Sequence, residues 1–183
     1  MQFDALLGLW AATASTFLFL LFLGALFHKA SDLVRFTGFL DNYNVFPQAI
    51  LTVSAYGLIM TEALITVLLL PPQFNQFGAA LAIGLLLIYA TVIALNVAKG
   101  NIQIECGCGG PAIHLSYALV LRNVAIATMT LPLILAEHNP ISLTDTAVAT
   151  VCGAILYLLY VATAQLSSNL NRFHSEGFFS ELS

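Results

Sequence analysis

Residues 77–98 read FGAALAIGLLLIYATVIALNVA, a run without one charged side chain. A helix rises about 1.5 Å per residue, so about 20 apolar residues cross a hydrocarbon core of about 30 Å. This run is long enough. Four further windows meet the same test, at 5–27, 48–70, 115–136 and 144–166. The first is also free of charge, the window at 48–70 holds Glu62, and the window at 115–136 holds Arg122. The sequence therefore predicts an all-α, polytopic membrane helix bundle of five transmembrane helices. It forms one integral membrane domain, followed at 167–183 by a polar, loosely ordered tail. The first window does not read as a signal peptide: Asp4 is its only nearby charge, and no A-x-A site follows.

Composition excludes the alternatives. Hydrophobic residues make up 60% of the chain and charged residues 8%, against about 25% charged in soluble domains. A soluble fold of this size leaves too much surface in water to hide such a chain, and the mean hydropathy of +0.93 agrees. The net charge of −4 comes with no basic run, which excludes nucleic acid as a partner and gives no polybasic signal for anionic lipid.

The connections sort the chain into two sides. Pro71-Pro72 ends the second span, since proline cannot extend a helix. Asn139-Pro140 breaks the chain after the fourth, and Ser142 or Thr144 is placed to cap the fifth. These two connections are short and lie with the N-terminus on one side, A. The longer ones, HKASDLVRFTGFLDNYNVFP at 28–47 and KGNIQIECGCGGPAIH at 99–114, lie with the tail on the other side, B. In the first of these, the spacing of Val34, Phe36, Phe39 and Leu40 predicts a short amphipathic helix. Lys29, Arg35, Lys99, Arg122 and Arg172 all fall on or near side B.

Chemistry is concentrated in Cys106-Gly107-Cys108-Gly109-Gly110. Two thiols one residue apart can close a small ring, and the glycines relax the backbone limits on closure. Such a ring is strained, and strained disulfides are the oxidising ones. Lys99 and Arg122, if near, favour the reactive thiolate. A static clip, two reduced structural cysteines, and a soft-metal site for copper or zinc with His114 as an added ligand stay open beside the redox reading. Cys152 lies about 12 Å into the fifth span from side A and is expected to be a small buried residue.

Glu62 and Arg122 are charges inside the membrane, each costing at least about 2.5 kcal/mol at the bilayer centre, so each must face protein or water. Two arrangements are expected: an ion pair between them, or Arg122 snorkelling to side B beneath the cysteine loop. Their roles there range from a structural lock to a polar cavity, a quinone contact or a proton path. Asn96, Asn123 and Gln165 are expected as interhelical hydrogen-bond donors, and Gly24 with Phe27 and the pair Gly78 and Ala82 as points of close helix packing. Trp10, Tyr43, Phe74, Tyr117, Tyr157 and Tyr160 supply candidates for the interfacial aromatic belts. The remaining histidines form no cluster that suggests a metal.

The residues also carry a family pattern. The first span ends Gly24-Ala25-Leu26-Phe27-His28-Lys29; Asp32, Phe36, Leu40, Tyr43, Pro47 and Glu62 follow. Then come Asn96, Gly100, Ile104, the Cys106–Gly110 block and Arg122-Asn123. From about residue 6 to 165 the chain resembles the MauE family of methylamine utilization proteins, within a wider group of small membrane proteins related to DoxX. It departs where Gly109 stands in place of a bulky residue. The resemblance implies a role in maturation of the small (beta) subunit of methylamine dehydrogenase. That subunit is exported, rich in disulfides and holds a tryptophan-derived quinone. A thioredoxin-like partner, MauD, is implied as well. Cys106 and Cys108 then pass oxidising equivalents, with Arg122, Glu62, Lys99 and Lys29 in support and a membrane quinone as a candidate acceptor. The rivals are a membrane chaperone or transport factor with structural cysteines, and a copper-handling protein.

Two arguments collide over orientation. All five positive residues on or near side B assign it to the cytoplasm. Disulfide chemistry assigns it to the periplasm. Four of the five positives cluster around the cysteine loop with Asp32, Asp41 and Glu105, and are expected to be retained for function. The cysteine loop is therefore expected on the periplasmic face of the bacterial inner membrane.

Overall fold

The computed structural model describes the backbone of residues 2–43, 47–102, 104, 114–135 and 142–180, and within these segments the side chains from residue 6 to 169. The described chain is all-α, with helices α1 (Gln2–Ser31), α2 (Leu33–Asn42), α3 (Leu51–Leu68), α4 (Asn75–Ala98), α5 (Tyr117–Leu135) and α6 (Leu143–Ser180). Five of these carry spans long and apolar enough to cross a membrane: Leu6–Ser31, Gln48–Leu68, Pro72–Ala98, Tyr117–Leu135 and Leu143–Asn169. The protein is a multi-pass membrane protein.

Local chemistry sets the ends. Ser142 caps α6: its Oγ accepts from the Asp145 amide at 3.1 Å and donates to the Asp145 carboxylate at 2.7 Å. α4 ends in a left-handed glycine, Gly100 at φ 82°. The Asn101 amide reaches back to the Asn96 carbonyl and the Gly100 amide to that of Val97. Glycine is favoured there because a side chain disfavours positive φ. Helix α2 is the short amphipathic element of the first long connection. Asp32 caps it by accepting from the Arg35 amide at 3.0 Å, and Phe36 and Leu40 are its buried face, packed with Ala55 of α3. One difference from the sequence reading lies at the end of the chain, where α6 continues as helix to Ser180. Polar composition removes the lipid-facing reason for a span, but it does not forbid a helix.

α1 is the centre of the bundle. It packs on α3, α5 and α6, while α4 joins α3 to α5 and α2 lies on α3. Leu18 and Phe22 of α1, Ile65 of α3, Leu86 of α4 and Ile126 of α5 meet in the main core. α6 rests chiefly on α1. Ala149 and Gly153 are its buried residues among those described. A Cβ on Gly153 would stand 2.7 Å from both the Thr13 carbonyl oxygen and the Thr16 Cβ, and one on Gly24 would stand 2.6 Å from the Tyr157 hydroxyl. Close approach is what drives helix association in lipid, where no hydrophobic force acts between helices. Gly24 and Gly78, the latter against Leu69, are packing points as expected, and Ala82 is buried, but Phe27 is exposed and does not pack there.

Candidate functional site

Helix direction decides where the charges go. Each Cα–Cβ bond tilts toward its helix's N-terminus. α1 runs from side A to side B, so the stem of Lys29, near its side-B end, descends into the bundle. α3 runs the other way, so Glu62 points up toward side B. The two meet: Lys29 Nζ is paired with Glu62 Oε1. Tyr89 of α4 completes a ring, its hydroxyl donating to Glu62 Oε1 at 2.9 Å and accepting from Lys29 Nζ at 3.1 Å. Lys29 also lies 5.2 Å from the Phe36 ring centroid and 4.9 Å from that of Tyr89. Lys29 and Glu62 are fully buried, at 2% and 0% exposure. This corrects the expected Glu62–Arg122 pair. α5 runs from side B to side A, so the Arg122 stem tilts toward side B and away from Glu62.

Arg122 is instead held between α5 and α6, and the expected place beneath the cysteine loop lies outside the described residues. Arg122 is half-buried in the second turn of α5. Its Nη2 contacts Asn123 Oδ1 at 3.5 Å, and its guanidinium carbon lies 5.8 Å from the ring centroid of Tyr160 on α6. Its charge also reaches Tyr43 at the end of α2. Burial pushes the Tyr43 phenol well above its usual range, and the Arg122 guanidinium opposes part of that rise. Tyr43, expected among the interfacial aromatics, is in fact buried, packed with Ile93, Leu115 and Leu119 and flanked by Ile104.

This packing fixes the root of the cysteine loop. The Leu115 amide donates to the Ile104 carbonyl at 3.0 Å, so the segment between them leaves and returns at one point, against Tyr43 and the first turn of α5. Cys106 and Cys108 lie in that segment and outside the described residues. Lys99 caps α4 at the start of the same connection and is exposed.

Four expectations are corrected, among them Asn123, whose buried Nδ2 makes no hydrogen bond and so is not the expected interhelical donor. Cys152 is exposed on α6 instead of buried. Asn96 is buried but bonds within its own segment, donating to the Val92 carbonyl at 3.0 Å and accepting from Asn101 at 3.3 Å. Gln165 is exposed. Tyr89 carries no motif in the sequence; its one signal is that it is a lone tyrosine in mid-span, away from the interfacial belts.

Among the described residues, the buried side-chain polar atoms without a hydrogen-bond partner are Glu62 Oε2, Arg122 Nε and Asn123 Nδ2. The deep cluster thus has one acceptor to spare, and the upper one has two donors.

Comparison with known proteins places the chain. Residues 7–136 match the family model described as Methylamine utilisation protein MauE. The chain is 35% identical over 162 residues to the Methylamine utilization protein MauE of Paracoccus denitrificans and 30% identical over 161 residues to that of Paracoccus versutus, with 86% of each chain covered in both cases. It is 29% identical over 160 residues to that of Methylophilus methylotrophus, with 83% of each chain covered. No solved structure matches the chain.

Proposed function

The chain belongs to the MauE family of methylamine utilisation proteins, and from that premise we propose that it serves maturation of the exported methylamine dehydrogenase small subunit by thiol–disulfide exchange at Cys106 and Cys108. A thiolate of an incoming dithiol attacks the Cys106–Cys108 disulfide, a mixed disulfide forms, and a second thiolate resolves it. The incoming dithiol belongs to a thioredoxin-like partner or to the subunit itself. The reduced Cys106–Cys108 pair then passes its electrons on.

The observation that carries this reading is the rooted loop. The bond between Leu115 and Ile104 and the packing around Tyr43 hold the stem of the cysteine segment at the side-B end of the bundle. A cysteine segment whose two ends are held together at one place is suited to exchange with a docking partner.

Side B is assigned to the periplasm of the inner membrane. The positive residues that argue against this are in part committed elsewhere. Lys29 is neutralised by Glu62 inside the fold, and Arg122 is held over Tyr160. Fewer free positive charges remain for the positive-inside bias than the sequence suggests.

Replacing Cys106 or Cys108 by Ser tests the reading in cells that depend on methylamine. Active dehydrogenase is expected to vanish while its transcript persists. Normal enzyme levels in both variants contradict the thiol mechanism and leave a chaperone or transport role with structural cysteines.

A further inference from the structure

In water an unpaired donor is hydrated. In a bilayer it is not, and a buried donor without an acceptor is costly. Arg122 Nε and Asn123 Nδ2 are two such donors on adjacent residues, and Asn123 is only 3% exposed. They stand near the side-B end of α5. α5 packs on α4 and α1, α6 packs on α1, and the Tyr160 ring of α6 lies against Arg122, with Phe17 of α1 set edge-on to Tyr160 at 6.0 Å. The flanks are open: Ala118, one turn above Arg122, is exposed, as are Leu156 and Leu159 beside Tyr160. This place on the bundle therefore offers two donors, one fixed positive charge, an aromatic face and lipid-side flanks.

We propose that Arg122 and Asn123, with the ring of Tyr160, form a binding site for a ring carbonyl of a membrane quinone. The inference rests on the redox reading above and names its electron acceptor. The chemistry selects the ligand class. The two unpaired groups of the site are both donors, so its ligand must bring oxygen lone pairs. It is reached through lipid, so the ligand must be apolar. Oxidation of the two thiols releases two electrons and two protons as the S–S bond forms, and a quinone takes up both to leave as quinol. The Arg122 charge favours the anionic oxygen that develops during reduction. The root of the cysteine loop lies one turn away, because Leu119, packed with Leu115 and Tyr43, precedes Arg122 by three residues. Both donor atoms are buried, so entry requires the half-buried Arg122 side chain to rotate. Its long stem and the exposed flank at Ala118 and Leu121 permit that.

The test uses the full-length protein in nanodiscs, with ubiquinone-1 as the probe. Calorimetric titration of the Cys106→Ser/Cys108→Ser double variant reads binding without turnover. One saturable site is expected, with affinity reduced about tenfold or more in Arg122→Lys, which keeps charge but loses Nε, and in Asn123→Leu. An unfolding midpoint measured for each variant separates loss of the site from loss of the fold. Equal affinity in correctly folded variants, or no saturable binding at all, overturns the site. Displacement of the probe by an equal concentration of dihexanoylphosphatidylglycerol also overturns it, in favour of a lipid headgroup. A parallel measurement follows thiols of the reduced wild-type protein on addition of ubiquinone-1. One disulfide per quinol is expected. Binding that depends on Arg122 while the thiols stay reduced keeps the site and overturns the redox reading. Thiol exchange that persists in cells without quinone binding keeps the reading and overturns the site.

Discussion

The two polar clusters of this bundle differ in how completely they are satisfied. Around Glu62, a cation, an anion and a phenol from three helices close a hydrogen-bonded ring, with two aromatic faces over the lysine. Around Arg122, the charge has an aromatic neighbour and a long contact to an adjacent amide, and two buried donors are left over. The first cluster ties α1, α3 and α4 together. The second lies between α5 and α6, both of which pack on α1. Among the described residues the deep cluster leaves only a carboxylate oxygen, Glu62 Oε2, unpaired; a paired charge in lipid holds helices in register, whereas surplus donors beside a lipid-facing flank are a place to bind something. The contrast predicts that substitutions in the deep cluster damage stability first and those in the upper cluster damage function first.

The largest effect is expected from breaking the deep cluster on one side. Glu62→Leu alone leaves Lys29 buried and uncompensated, a loss of about 3–5 kcal/mol, whereas pairing it with Lys29→Met removes both charges and restores most of that loss. Denaturant unfolding in detergent of the single and double variants measures the difference. Additive losses show that the pair is not coupled. Next comes Gly153→Ala, whose new methyl meets the Thr13 backbone and Thr16 at 2.7 Å and is expected to cost about 1–3 kcal/mol by overpacking. Because it displaces α6 and with it Tyr160, it should disturb the upper cluster while leaving the Lys29–Glu62 pair intact. A Lys29–Glu62 coupling energy that falls together with the Gly153→Ala loss contradicts the separation of the two clusters. Gly24→Ala provides a milder comparison, since the far end of the Tyr157 side chain can move aside.

Arg122→Leu reverses the pattern. Among the described residues the arginine has no acidic partner to abandon, so stability should change by less than about 1 kcal/mol. Dehydrogenase maturation should still fall by about tenfold or more, with Arg122→Lys intermediate. Equal maturation in both variants reduces Arg122 to a packing role. The smallest effect belongs to Cys152→Ala, an exposed position on α6. It is expected to change stability by no more than about 0.5 kcal/mol and leave maturation untouched, and a clear loss of active dehydrogenase assigns that thiol a role this account denies.

These regions also differ in how far they could be read from the sequence. The spans follow from hydropathy, because lipid demands about 20 apolar residues in a row, and α2 follows from the spacing of Phe36 and Leu40. The partner of Glu62 was hidden. Depth along each helix is countable, but which basic side chain meets the carboxylate depends on the tilt of side chains toward their own N-termini, opposite in α1 and α5. The exposure of Cys152 was hidden for a different reason. α6 is apolar on all sides, with Val151, Ile155 and Leu159 as exposed as any lipid-facing surface. Lipid is as apolar as a protein core, so periodicity carries no record of which face is buried. Tyr89 is the residue whose role depended wholly on the three-dimensional meeting of α1, α3 and α4.

The central claim is that Cys106 and Cys108 exchange disulfides with an exported partner. The most direct test expresses Cys106→Ser and Cys108→Ser variants together with the dehydrogenase small subunit and its thioredoxin-like companion. Membranes are quenched in acid, alkylated and resolved without reductant. One of the two variants is expected to accumulate a reductant-sensitive adduct, with mass spectrometry placing its remaining loop cysteine in a mixed disulfide to one of those two proteins. No adduct in either variant, together with normal amounts of active dehydrogenase, contradicts the account.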